Sequence, residues 1–224
     1  MREDPIGYWE AESPSGYQDE NYGKSLAGNI LRRSHSLLEN TFSEKDFFPS
    51  VLEVGCGLGF HAQFVKHRFD SYLMTDAFPK MLVPAKQNNV ADCFSFLPTP
   101  AESLPFADKS FDRVIASHVL EHLYRPHEVL REWDRVIKDG GVLSLILPCD
   151  PGFGWRLGRM FGPRKRGIKR GFPYDYMMAR EHVNPINNLV SLIRYYFDDI
   201  QEKWWPFRVP VIDINLLYIV NINK

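Results

Sequence analysis

Apolar positions along the chain alternate between short runs and helical stripes. Over about 24–41, Leu26, Ile30, Leu37 and Leu38 follow a helical period. The apolar run Val51-Leu52-Glu53-Val54 then stops at Gly55-Cys56-Gly57-Leu58-Gly59, which reads as a buried strand entering a glycine turn. Ala62, Phe64, Val65 and Phe69 predict a helix behind that turn. Further strands are predicted at 71–75, 93–97, 111–116 and 142–147, with helices near 78–88 and 126–138. The second of these helices places Val129, Leu130, Trp133, Val136 and Ile137 on one face, and Asp139-Gly140-Gly141 reads as its left-handed C-cap. Strands alternating with helices imply βαβ units, an α/β fold with a mostly parallel sheet and right-handed crossovers.

The two flanks read differently. Residues 1–24 hold Tyr, Trp, Gly and acids without periodicity and are expected to form an irregular arm. Residues 148–184 mix Pro, Gly, aromatic and basic residues with little periodicity. Leu189, Leu192, Ile193 and Tyr196 restore a helix, and strands follow at about 198–205 and 211–222. The intervening 206–210 is too short for a helical crossover, so this pair is antiparallel.

The 224 residues suit one domain carrying a lid, and 44% hydrophobic with 25% charged residues is the make-up of a soluble globular protein. A net charge of −1 excludes the whole molecule as an electrostatic nucleic-acid binder, though not a local patch. Cys56, Cys93 and Cys149 form no C-x-x-C pair and are too few for a disulfide framework. The N-terminus does not read as a secretory signal, and no run approaches the roughly 18 apolar residues of a membrane span. The expectation is a reduced, cytoplasmic protein. His, Asp and Glu show no metal-ligand spacing, so no metal is expected.

Ligands of parallel α/β sheets bind at the carboxyl ends of the strands. Gly55 and Gly57 fit the first two places of the dinucleotide fingerprint, but Phe60 stands in the third, and the turn has no Lys for a phosphate loop. A tight turn without a ligand is the competing reading. Asp76 ends the second strand about 20 residues past the glycines, where a carboxylate reaches ribose hydroxyls; a solvated loop aspartate is its alternative.

Three segments resemble the class I S-adenosylmethionine-dependent methyltransferases. Val51-Leu-Glu-Val-Gly-Cys-Gly-Leu-Gly-Phe-His61 resembles their first motif. The stretch from Ala101 to Leu123 and that from Glu132 to Leu143 resemble the small-molecule branch containing the ubiquinone/menaquinone-type enzymes. The likeness covers about 48–147 in order and spacing. It implies a Rossmann-like, doubly wound seven-stranded sheet of order 3-2-1-4-5-7-6 with strand 7 antiparallel, S-adenosylmethionine as cofactor and S-adenosylhomocysteine as product. It places Glu53, Gly55, Cys56, Gly57 and Gly59 around the methionine part, Asp76 on the ribose, and Ala77 with Ala101 and Glu102 beside the adenine. Ser117, His118 and Val119 would face the cofactor and its methyl group. The family's usual Asp before the alanine is replaced by Thr99-Pro100, so that adenine contact is lost or passes to Glu102 or a backbone carbonyl.

Methyl transfer to an oxygen or an ammonium is helped by a general base, for which histidine is the natural type. His118 is the catalytic candidate, His122 reads as structural or cofactor-side, and His182 as substrate-side. His35, His61, His67 and His127 fall in helical patterns and read as surface residues. Between Asp150 and Asp175 there is no acid, while Arg156, Arg159, Arg164, Lys165, Arg166, Lys169 and Arg170 are interleaved with aromatics. This segment, 150–182, reads as a mobile cap in which Arg156 or Arg159 engages an anionic acceptor, with Tyr17 and Tyr22 of the arm meeting it. A lipid-linked acceptor with peripheral membrane contact through 153–172 ranks second, RNA third, and a solvated loop is the plain alternative. The whole of 1–224 is thus read as one methyltransferase domain acting on a small, anionic or lipid- or glycan-linked acceptor. A non-catalytic cofactor-binding scaffold is the rival from another class. A nicotinamide-dependent oxidoreductase is argued against by Phe60.

Overall fold

A computed structural model describes residues 13–224. Strands β1 (Ser50–Val54), β2 (Ser71–Asp76), β3 (Phe94–Pro98), β4 (Phe111–Ser117), β5 (Ile137–Pro148), β6 (Asp199–Trp205) and β7 (Leu217–Asn223) form one sheet of order β3-β2-β1-β4-β5-β7-β6. The first five are parallel and β7 runs antiparallel between β5 and β6. This is the order and the strand sense that the resemblance implies.

Alternation along the central strands assigns the two faces. Leu52, Val54, Val114, Ala116, Leu145 and Leu147 face one core, filled by Val129, Leu130 and Trp133 of α4 (Pro126–Val136) and Ile186, Leu189 and Ile193 of α8 (Ile186–Tyr196). Val51, Ile115 and Ile146 face the other, against Leu38 of α2 (Leu26–Glu39) and Leu82 and Ala85 of α3 (Pro79–Asn88). Helices on both faces are what a parallel sheet requires.

Four local expectations are corrected. Within the supposed irregular arm, α1 (Pro14–Tyr22) starts at Ser13, whose hydroxyl accepts from the Gly16 amide at 3.0 Å, with proline in its first turn. Only a 3₁₀ turn, His61–Phe64, follows the glycines, because Val65 turns extended at once. Gly140 and Gly141 lie inside β5 at the register shift opposite Phe111 and Arg113. A Cβ on Gly141 would approach the Asp112 carbonyl at 2.8 Å. The last strand begins at Leu217, not 211, because Asn215 donates to the Val209 and Val211 carbonyls and folds the preceding residues into a loop.

The segment 150–182 is likewise ordered, into α5 (Phe153–Phe161), α6 (Pro163–Lys169) and α7 (Tyr174–Glu181). α5 buries no residue; its apolar positions face away from the core.

One polar line crosses the second core. Arg113 of β4, fully buried, donates to Glu39 Oε2 at 3.0 Å and Oε1 at 2.7 Å, and its Nε donates to Ser144 Oγ at 3.0 Å. Its guanidinium lies 4.1 Å from the centre of the Phe42 ring. Burial alone would raise the Glu39 carboxyl, but Arg113 and His61 hold it well below the usual carboxylate range. Replacing Arg113 by Met should destabilise the protein by about 3–5 kcal/mol, because it strands a buried charge. Urea unfolding of the two proteins at pH 7 measures the difference.

Candidate active site

The glycine turn sits at the carboxyl ends of β1, β2 and β4, its shape set by backbone geometry. Gly55, Gly57 and Gly59 have φ of 66°, 53° and 70°, values that favour glycine. A Cβ on Gly55 would stand 2.5 Å from Val119 Cγ2. The Cys56 amide donates to the Thr75 carbonyl at 2.8 Å, tying the turn to β2. Asp76, buried at the tip of β2, accepts from the Gly57 amide through Oδ2 and from the Phe78 amide through Oδ1, both at 2.9 Å. Burial raises its carboxyl while those two donors oppose the rise.

Tyr22, His35, Glu53, Gly55, Cys56, Gly57, Leu58, His61 and Ser117 line one recess. It measures about 20 Å³, so entry of a ligand's methionine-sized end requires Tyr22 or its neighbours to shift. The residues fit an S-adenosyl ligand on two observations. Gly55 and Gly57 line the recess with left-handed backbone that leaves it free of their side chains, and Ser117 Oγ, also on its wall, is buried with no hydrogen-bond partner. Glu53 accepts from the Tyr72 hydroxyl at 2.7 Å, its carboxyl raised by burial. Ala77 and Glu102 are exposed and Ala101 is buried with its carbonyl accepting from Trp133 Nε1 at 2.9 Å, so the adenine side opens to solvent.

His118 holds φ at 58°, an unusual backbone for a non-glycine residue. Its ring lies between Ser34 Oγ at 3.4 Å and Glu121 Oε1 at 3.7 Å. Burial would raise buried Glu121, but His118, His122 and His182 hold it below its usual value. His122 donates through Nδ1 to the Glu181 carbonyl at 2.9 Å, and burial pushes it down to about 4. This agrees with its structural reading.

Arg156, Arg159 and His182 line a second space, an open groove of about 530 Å³ between α5 and α7. Its walls also include Phe153, Leu157, Met160 and Met178. Tyr22 lines the recess and not this groove; the Tyr17 side chain lies outside the described residues. Arg159 is met by Asp150 at 3.1 Å and Arg164 by Asp175 at 2.6 Å, so two of the cap's cations are already neutralised.

The sequence reading missed His35 and His61. Both are buried, as is His67, against the expectation of surface residues; His127 alone of the four is substantially exposed. The signal was present, since His35 lies four residues after Leu31 and three before Leu38, on the inward phase of α2. A chain of contacts results: Glu39 Oε1 to His61 Nε2 at 2.9 Å, His61 Nδ1 to His35 Nδ1 at 2.9 Å, and His35 Nε2 to the Tyr22 hydroxyl at 3.1 Å.

This sheet order, with a glycine turn after β1 and a buried carboxylate closing β2, is the arrangement that the resemblance to the class I S-adenosylmethionine-dependent methyltransferases implies. Residues 52–145 match the family described as a methyltransferase domain. A malonyl-[acyl-carrier protein] O-methyltransferase of Erwinia pyrifoliae is 41% identical over 93 residues, 41% of this chain and 34% of that protein. An uncharacterized methyltransferase of Mycobacterium avium is 33% identical over 172 residues, 75% of this chain and 64% of that protein. The chain therefore spans about a third of the first relative and under two thirds of the second. The N-methyltransferase NodS of Bradyrhizobium japonicum, solved with S-adenosyl-L-homocysteine, superposes with a TM-score of 0.60 over 96% of this chain and 93% of that one. At 13% identity this shows a shared fold. Among the described residues no group of three or more His, Cys, Asp or Glu is placed to hold a metal ion, and no helix is long and apolar enough to cross a membrane.

Two outcomes follow from this geometry. Gly55→Ala should weaken S-adenosylhomocysteine binding at least about tenfold, or 1.4 kcal/mol. Asp76→Ala should weaken that binding by about 1.5–3 kcal/mol, the scale of one charge-assisted hydrogen bond to a ribose hydroxyl. Calorimetry on folded variants checks both, and unchanged affinities would remove the ligand from this turn. Separately, ionised Glu39 only accepts, so His61 Nε2 donates to it. Burial, with the His61 and His118 rings adding to it, keeps His35 well below the ordinary imidazole range. With one proton on each ring, His35 Nδ1 donates to His61 and Nε2 accepts from Tyr22. Nitrogen-15 NMR at pH 9 should find His35 as the Nδ1–H tautomer; the Nε2–H form would contradict the chain of contacts.

Proposed function

We propose that this chain transfers the methyl group of S-adenosylmethionine to an amphiphilic acceptor that carries an anionic group and binds in the groove between α5 and α7. The observation that carries this reading is a line of polar side chains running from the groove to the recess. Asp150 lies 3.0 Å from His182 Nδ1 on the groove side, and the His182 and His122 rings meet edge-on at 4.8 Å. Glu121 then bridges His122 and His118, 4.0 and 3.7 Å away, beside Ser117 of the recess. An acceptor seated in the groove thus has a polar wall leading to the cofactor.

The groove's apolar walls hold the body of such an acceptor, and its cations select the head. With Arg159 and Arg164 committed to Asp150 and Asp175, Arg156 is the cation left for an external anion. The bound cofactor supplies a methyl group already activated on sulfonium sulfur. His118 takes the acceptor's proton, and Glu121 stabilises the imidazolium that results. The relative named as a malonyl-[acyl-carrier protein] O-methyltransferase supports an oxygen acceptor.

Incubation of the protein with methyl-labelled S-adenosylmethionine and panels of amphiphilic acids, prenylated phenols and glycan extracts tests the reading. Label is expected in an acidic amphiphile. With that acceptor, Arg156→Ala should raise KM at least about tenfold, the scale of one charge-assisted bond. His118→Ala should lower kcat by about 10²–10⁴ with cofactor affinity kept. Intact cofactor binding without transfer to any class would favour a non-catalytic scaffold.

A further inference from the structure

Sixteen large hydrophobic side chains are exposed among the described residues, and ten of them fall in two short segments. Phe153, Leu157, Met160, Phe161, Ile168 and Tyr176 belong to the cap, and Phe207, Val209, Val211 and Ile214 to the loop between β6 and β7. The segments adjoin. The Gly154 amide donates to the Asp213 carbonyl at 2.7 Å, the Phe153 amide donates to Asp213 Oδ1 at 3.0 Å, and a Cβ on Gly152 would touch Ile212. On α5 the exposed residues recur at i, i+4, i+7 and i+8, a single stripe on a helix that buries nothing. Phe161 is 69% and Phe207 60% exposed, apolar area whose contact with water is unfavourable and whose burial would be favourable.

The charges around this face have one sign. Residues 153–172 carry seven cations and no acid. Arg159 and Arg164 are met by Asp150 and Asp175, whereas Arg156, Lys165, Arg166 and Lys169 make no ion pair among the described residues. Lys165 Nζ lies 5.4 Å from the centre of the Phe161 ring, so cation and aromatic alternate within one patch. Protein interfaces gather apolar groups at a centre and deplete lysine there; an interfacial helix instead mixes Phe and Leu with Lys and Arg along one surface.

We propose that this face docks on an anionic lipid bilayer, with the aromatic and aliphatic tips entering the headgroup boundary and the lysines and arginines matching the lipid charge. The groove between α5 and α7 shares Phe153, Leu157 and Met160 with the docked face, so it opens where a lipid-borne acceptor would leave the membrane. That last link deepens the proposed acceptor class and rests on it. Docking itself does not, and its test needs neither cofactor nor turnover.

The test is sedimentation of the whole chain with large unilamellar vesicles, either phosphatidylcholine alone or phosphatidylcholine with 30 mol% phosphatidylglycerol. Binding is expected on the anionic vesicles and is expected to weaken as salt rises. Lys165→Glu with Lys169→Glu should weaken it by at least about 25-fold, near fivefold for each positive charge lost at the surface. Phe161→Ser with Phe207→Ser should abolish it at the same salt. All four sites are exposed or peripheral, and a circular-dichroism melt confirms that each variant folds. No sedimentation with either vesicle overturns the proposal, as does binding that is indifferent to lipid charge and to all four substitutions. Loss of a dimer from the phenylalanine variant, without vesicle binding by the parent, would give the face to a second copy of the chain.

Discussion

A carboxylate buried at the end of α2 is tolerable only because an arginine on β4 meets it. Glu39 and Arg113 are both fully buried, and a second partner on each side completes the set: His61 on the glutamate, Ser144 on the arginine. Ser144 in turn donates to Asn221 of β7 at 2.6 Å, and Asn221 donates to Thr41 just past α2 at 3.2 Å. The line of polar groups therefore fixes where α2 crosses the sheet. That placement puts Ser34 against His118 and His35 against the recess, so the active end inherits its geometry from a charge pair inside the core.

The candidate site has a polar order of its own. Glu121 gathers three histidines, and Asp150 closes the series at the groove. His122 is held neutral by burial and pinned by the Glu181 carbonyl, leaving His118 as the histidine with loose partners. The pinned His122 ring and the loosely held His118 ring are the contrast on which the proposed division between a structural and a chemical histidine rests. The cap's electrostatics divide similarly: Arg159 and Arg164 are paired with Asp150 and Asp175, whereas Arg156 on the groove wall and Lys165 and Lys169 on the exposed face make no ion pair among the described residues.

The central fold was legible because a sheet covered on both faces leaves a strong trace. Runs such as Val51-Leu52-Glu53-Val54 and the residues 142–147 can be little else than buried strands, and Gly55 to Gly59 mark the turn where one ends. The candidate cofactor side was legible for the same reason, since it lies at strand tips whose positions follow from the strands. What escaped the reading was fixed by tertiary packing. α5 does carry a helical stripe at Phe153, Leu157, Met160 and Phe161, but it is short, set among glycines and arginines, and turned away from the core. Ile212 and Ile214 alternate like a strand yet pack in a loop that Asn215 holds. His35 and His61 looked like surface residues because a buried imidazole is permitted only by partners far away in sequence, Glu39 for one and Tyr22 for the other. Ser13-Pro14 was a readable helix start that composition obscured.

The account stands on the glycine turn and Asp76 holding an S-adenosyl ligand. Titration calorimetry of the unmodified chain measures this most directly, with S-adenosylhomocysteine in one series and oxidised and reduced nicotinamide dinucleotides in another. One S-adenosylhomocysteine per chain and no heat with either dinucleotide is the result predicted. No heat with S-adenosylhomocysteine, together with saturable binding of a nicotinamide dinucleotide, would contradict it.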